Sequence, residues 1–241
     1  MNFRTVLSAG PRAAAEACGE RLLQILNEAL GERETATIAV SGGSTPKLLF
    51  EYLSQAEADW SRVHLFWVDE RAVPPGDPQS NYTLAHDNWL APSGFPVSNI
   101  HRMQAELPVS EAAERYADEI RGHFHLHGEA FPVFDIIQQG MGSDVHTASL
   151  FPGEPLILDR RGIAAAVYVE KLKAARITLL PGVLTRARQT LMLVTGADKA
   201  AALKTVWSAP EALLEAPAQL TRRHEGQVTW FLDEAAAAGL R

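Results

Sequence analysis

The chain reads as an α/β protein, a mostly parallel sheet covered by helices on both faces. Two observations predict this. Six short runs rich in β-branched and aromatic residues are bounded by Gly, Pro, Asp or Ser, and helical stretches lie between most of them. Strands that alternate with helices need right-handed crossovers, which put helices on both sides of a parallel sheet.

In chain order, RAAAEACGERLLQILNEAL (12–30) sets Leu22, Leu23, Ile25, Leu26 and Leu30 largely on one face, with Gly31 as a stop, and reads as an amphipathic helix. The period then changes to that of strands: TATIAVS (35–41), VHLFWVD (63–69), FDIIQQ (134–139), AAAVYV (164–169), QTLMLVT (189–195) and VTWFLD (228–233). Helices are expected over 46–57, 80–90, 110–127 and 197–208, and the alanines at 235–238 read as a terminal helix. The Pro-rich segments 73–80, 91–96 and 208–220 are short and carry apolar residues, so they read as ordered loops within a single domain spanning 1–241.

Composition narrows the function classes. With 46% hydrophobic and 21% charged residues, a chain of 241 residues buries its own core without metal or disulfide staples. A net charge of −7 speaks against broad nucleic-acid binding, which needs a dense excess of Lys and Arg. The single cysteine, Cys18, rules out an intramolecular disulfide and falls in a helical pattern, where a packed thiol is expected. No stretch is apolar for long enough to span a bilayer and no early segment has signal-peptide character, so a cytoplasmic protein without a membrane partner is expected.

Ligand sites in open α/β sheets form at the carboxyl ends of strands, which directs attention to four loops. In SGGSTPKLL (41–49), Gly42 and Gly43 permit a tight turn, Ser44 or Thr45 is a candidate cap, and Pro46 suits a first helical turn. Such a helix start suits phosphate, although structural turns share the composition. In WVDERAVPPGDPQSNY (67–82), Arg71 can clamp a phosphate or an oxyanion, or simply pair with Asp69 or Glu70. In GMGSDVHTASLFPG (140–153), two glycines precede His146, expected at the start of a short helix whose dipole keeps the ring neutral, with Asp144 able to pair with it. In VTGADKAAAL (194–203), Lys199 falls in a first helical turn, solvated or facing an anion. HFHLH, with His123, His125 and His127, fans around a helix axis and is not expected to hold a metal.

Together SGGSTPK, WVDERAVP with DPQSNY, GMGSDVHTASLFPG, VTGADKA and PAQL before VTWFLDEAA make the sequence resemble the 6-phosphogluconolactonase family nearly end to end. The resemblance implies the fold of the sugar-phosphate isomerases and deaminases, and hydrolysis of a sugar-phosphate lactone without metal or organic cofactor. It implies His146 as water-activating base and the 6-phosphate on Gly42, Gly43, Ser44, Thr45 and Arg71; on the reading of their own loops, Arg71 and Asp144 join His146 as candidate catalytic residues and Lys199 joins the candidate phosphate site. The sequence departs from the family pattern at Val145, where glycine is usual, at Gln138 and Gln139 in place of an aliphatic pair, and at Thr185 in place of Asn. A glucosamine-6-phosphate isomerase/deaminase and a non-catalytic sugar-phosphate sensor are the competing readings. A monomer is compatible with the sequence, which leaves the oligomeric state open.

Overall fold

The computed structural model describes residues 3–240. The chain runs β1 (Phe3–Ser8), α1 (Pro11–Glu32), β2 (Ala36–Val40), α2 (Ser44–Leu53), β3 (Val63–Trp67), β4 (Asp69–Arg71), α3 (Asn81–Ala85) and α4 (Ala91–Ser93). It continues through β5 (Ile100–His101), α5 (Val109–His123), β6 (Ile136–Gln139), β7 (Ala164–Val169), β8 (Ala174–Leu179) and α6 (Pro181–Leu184). The last elements are β9 (Gln189–Val194), α7 (Ala200–Ser208), β10 (Gln227–Asp233) and α8 (Glu234–Ala237).

Seven strands pair in parallel in the order β1-β10-β9-β6-β2-β3-β5. After β2 the chain adds β3 and then β5 on one side, and it later lays β6, β9 and β10 on the other. The order therefore reverses between β2 and β6, and a crevice opens beyond the carboxyl ends of strands at such a switch point. The two loops that leave β2 and β6 are the two glycine loops singled out above.

Both faces are covered, as the long apolar runs require. Successive strand residues point to opposite faces. Leu191, Leu193 and Phe231 join a core with Leu22, Ile25 and Leu26 of α1, whereas Met192, Val194, Trp230 and Leu232 pack with Ala202, Leu203 and Val206 of α7. Cys18 is fully buried in the first of these cores, and burial pushes its thiol pKa up, as suits an inert packed group.

Four features of the fold differ from those expected of the sequence. Gly31 does not stop α1, which runs on to Glu32. The helix expected over 80–90 is α3 continued by a π-helical turn, His86–Leu90, into α4, which ends at left-handed Gly94. The run 164–169 is a strand, but in a second, antiparallel sheet ordered β4-β8-β7. Finally, β1, β5 and β8 lie outside the six runs, and β4 shares only Asp69 with one of them: β1 is an edge strand with mostly exposed side chains, and β5 has only two residues. Val68 joins the sheets, its N–H donating to Val40 and its carbonyl accepting from Leu179.

Candidate active site

A cleft of about 230 Å³ opens at the switch point, lined among others by Gly42, Gly43, Ser44, Thr45, Arg71, His146, Arg176 and Lys199. Each wall follows from local chemistry. Gly43 sits at φ 119°, a conformation that favours glycine, and starts α2 with no side-chain cap. Neither Ser44 nor Thr45 caps this helix, contrary to expectation, so its first N–H groups remain for a ligand. Thr45 Oγ1 lies 2.9 Å from Thr195 Oγ1 at the end of β9. One of these hydroxyls donates to the other and the second keeps its proton to offer. A Cβ on Gly42 would run into the Asn81 side chain, so glycine is needed for close packing there.

The second wall comes from the small sheet. Arg71 does not pair with Asp69 or Glu70, the bland reading of its loop. Glu70 instead accepts from the backbone N–H groups of Arg71, Asn81 and Tyr82 and from Ser80 Oγ, an acidic cap on α3. Burial raises the Glu70 pKa, and these four donors oppose the rise. Asp69 accepts from Ser149 Oγ at 2.6 Å and lies 3.8 Å from Arg176 Nη1. Arg71 donates from Nη1 to the Gln79 carbonyl, and its Nε is buried without a partner. Arg176, which the sequence reading passed over, lies opposite Arg71 in the β4–β8 register and also keeps an unpartnered Nε. Lys199 lines the cleft with its Nζ 3.0 Å from Asp198, so it is neither simply solvated nor committed to the cleft.

The third wall carries His146. No helix begins there; residues 141–149 form turns and an isolated bridge, so the expected helix dipole plays no part. The ring is held by neighbours instead. His146 Nδ1 lies 2.5 Å from Asp144 Oδ1, and the other Asp144 oxygen accepts from Lys171. Burial raises the Asp144 pKa, but the hydrogen bonds from Lys171 and His146 outweigh it and hold the carboxyl at about 2. Ionised, Asp144 can only accept, so Nδ1 bears the proton and Nε2 the lone pair. Burial lowers the His146 pKa, with Asp144 opposing, so the neutral ring is favoured for a reason other than the one expected. The ring stacks on Phe151 at 4.1 Å, and Arg176 lies 5.6 Å from the same face-forming ring. Asp144 does not line the cleft; it stands behind the imidazole.

Val145 takes φ 68°, the left-handed conformation that glycine would supply at no cost. Hydrogen bonds fix it there: its N–H donates to Gly142, its carbonyl accepts from Ala218, and Gly142 N–H donates to the His146 carbonyl. Its side chain packs beside the α7 core. Gln138 and Gln139 also have work in this structure. Gln138 Oε1 accepts from Ser41 N–H at the turn after β2, and Gln139 Oε1 accepts from Thr147 beside His146. Thr185 bonds to the Pro181 carbonyl, away from the cleft.

Of the HFHLH histidines only His123 is enclosed; α5 ends there, and His125 and His127 are exposed. His123 instead faces His64 and His101. Burial, then the facing imidazoles, lowers His64 and brings His123 to about 4.

Residues 9–230 match the family described as glucosamine-6-phosphate isomerases/6-phosphogluconolactonase. The chain belongs to this family. It is 38% identical over 220 residues to a 6-phosphogluconolactonase of Synechocystis sp., covering 90% of this chain and 89% of that one. Identity to the Homo sapiens 6-phosphogluconolactonase is 39% over 213 residues, or 86% of this chain and 81% of the other. Among solved structures, the 6-phosphogluconolactonase of Trypanosoma brucei superposes with a TM-score of 0.86 at 26% identity, covering 99% and 98% of the two chains. A monomeric glucosamine-6-phosphate deaminase superposes with a TM-score of 0.81 at 14% identity, over 98% and 99% of the two chains, a likeness of fold alone.

Proposed function

We propose that the protein hydrolyses 6-phospho-D-glucono-1,5-lactone to 6-phosphogluconate, the lactonase step of the oxidative pentose phosphate pathway. One observation carries the reading: a carboxylate-held imidazole lines the same cleft as the uncapped start of α2 and Arg71. The first turn of α2, the Thr45–Thr195 hydroxyl pair, Arg71 and Lys199 hold the 6-phosphate. This anchor sets the lactone carbonyl between His146 and Arg176, which share the Phe151 ring.

His146 Nε2 takes a proton from water as the water oxygen bonds to C1, and the carbonyl electrons move onto oxygen. Arg176 stabilises that oxyanion. Collapse breaks the bond from C1 to the ring oxygen, and the imidazolium returns its proton to the departing hydroxyl. A lactone is already an activated ester, so positioning, one base and one oxyanion partner suffice. Asp144 is a positioning residue that fixes the ring tautomer, and the glycines act through their backbone.

The deaminase reading needs further free acid–base groups near the reacting carbons, and the one carboxylate in the cleft lining, Asp69, is engaged by Ser149 Oγ and faces Arg176. Glu154, the first carboxylate after His146, accepts from Leu156 N–H at the start of its own 3-10 turn and does not line the cleft. The test is a background-corrected lactone assay coupled to 6-phosphogluconate dehydrogenase, run beside an ammonia assay with glucosamine 6-phosphate. Turnover of the lactone alone is expected. Ammonia release without lactone turnover would replace this reading, and phosphate-dependent stabilisation without either activity would make the protein a sensor. No helix among the described residues is long and apolar enough to cross a membrane.

A further inference from the structure

Three imidazoles that this reaction leaves idle converge at the far edge of the main sheet. His64 of β3, His101 of β5 and His123 in the last turn of α5 each offer a ring nitrogen, and the three nitrogens lie within 4.8 Å of one another. Register explains the meeting. Phe66 is the strand partner of His101, and His64, two residues before Phe66, shares its face of β3. The Phe66 ring stacks on His101 at 4.3 Å and lies 5.2 Å from His123, so one aromatic side chain supports the group. The cluster lies toward the start of β3, away from the carboxyl end that leads to Asp69 and Arg71.

We propose that His64, His101 and His123 bind one divalent transition-metal ion, Zn²⁺ in the first place, as a structural clamp joining β3, the edge strand β5 and helix α5. This departs from the sequence expectation, which considered only His123, His125 and His127 together and expected no metal.

The hydrogen bonds favour a ligand set over idle packing. Glu119, one helical turn before His123, lies with Oε1 2.8 Å from His101 Nδ1. A carboxylate accepts from that nitrogen, so Nδ1 carries the proton and the lone pair of Nε2 points the other way. That Nε2 is the atom 2.9 Å from His64 Nδ1. A carboxylate that orients a histidine from behind, leaving the opposite nitrogen to the ion, is the usual outer support of zinc-bound imidazole. Without metal, His64 Nδ1–H donates across the gap. With metal, that proton shifts to Nε2 of the same ring, a tautomer change that leaves His64 neutral and frees Nδ1 to coordinate.

Distances are compatible. With water as the fourth ligand, Zn–N bonds of about 2.0–2.1 Å in a tetrahedron put ligand nitrogens roughly 3.3 Å apart. His64 and His101 need to part by a few tenths of an ångström, and His123 needs to close by a rotation at the end of α5. Three imidazoles suit Zn²⁺, Co²⁺, Ni²⁺ or Cu²⁺ and not the oxygen-seeking Mg²⁺ or Ca²⁺. A clamp also has a structural use here, because β5 is a two-residue edge strand held to β3 by two register pairs.

The test uses the full chain without a histidine tag. Zn²⁺ is titrated against a chromophoric chelator, and Co²⁺ binding is followed by its visible absorption. One saturable equivalent, tetrahedral Co²⁺ bands and a Zn²⁺-dependent rise in Tm are expected. His64→Gln and His123→Gln should each weaken binding at least tenfold while keeping their circular dichroism spectrum and lactone turnover within about twofold. His125→Gln with His127→Gln should change nothing. No saturable equivalent in the wild type, or an equivalent that survives in the His64→Gln/His123→Gln double variant, overturns the proposal. If the variants do not fold, the wild-type Co²⁺ spectrum decides, and octahedral bands count against the site.

Discussion

Arg71 and Arg176 face each other directly across the antiparallel β4–β8 pair, and both line the cleft. Like charges opposite one another destabilise a sheet, and each guanidinium keeps a buried Nε without a partner. Asp69 offsets part of this from 3.8 Å. In the proposed reaction a bound dianion and a developing oxyanion would offset the rest, which gives two facing arginines a use in a chain of net charge −7. Arg71→Ala should raise KM by about tenfold or more, the cost of a charge-assisted contact. Arg176→Ala should lower kcat as well. Inorganic phosphate should raise the Tm of the wild type more than that of Arg71→Ala. Unchanged steady-state constants for either variant would remove that arginine from the site.

Gly142 is pinned by the Asp144–His146 pair. A Cβ there would overlap His146 Nδ1 and the Asp144 carboxylate. Gly142→Ala should cut kcat by roughly the 10²-fold or more that a positioned base contributes, with KM little changed. An active Gly142→Ala enzyme would show that the Asp144–His146 contact is dispensable.

The pH profile carries a sign. The base must be neutral, and burial sets the His146 pKa below the ordinary histidine value of 6.5. Activity should therefore rise with pH through an inflection below that value and hold a plateau above it. Asp144 raises the ring pKa, so Asp144→Asn should move the acid limb to still lower pH. It should also lower kcat, by up to roughly 10⁴-fold, because the amide no longer fixes the tautomer. A kcat loss without any shift of the limb would mark Asp144 as merely structural.

Val145 is a β-branched residue in left-handed backbone, and its strain is of order 1–3 kcal/mol. His146 nonetheless lines the cleft, because hydrogen bonds to Gly142 and Ala218 hold the turn on both sides. Val145→Gly should therefore leave kcat/KM within about threefold. A tenfold gain would mean that the valine keeps the imidazole out of position.

The parallel sheet and its two glycine loops were legible because burial on both faces writes long apolar runs and because turns need glycine. The four added strands were not. β1 exposes most of its side chains, and β4 is three residues carrying the charges DER. β8 hides Arg176 in AARITL, where no turn or charge pattern marks a site; only the antiparallel pairing to Arg71 gives that arginine meaning. His146 was legible among its glycines, but the cause of its neutrality was misread: a helix was expected and burial acts instead. The glutamines at 138 and 139, a departure from the family pattern, tie both glycine loops to β6 through bonds that sequence cannot show.

If an imidazole oriented by Asp144 draws the proton from the attacking water, His146→Ala removes the base. The decisive measurement is its background-corrected rate of lactone hydrolysis, with inorganic phosphate binding followed in the same preparation by thermal shift. The rate should fall roughly 10²–10⁴-fold with phosphate binding intact. Hydrolysis at the wild-type rate would show that another group takes the proton.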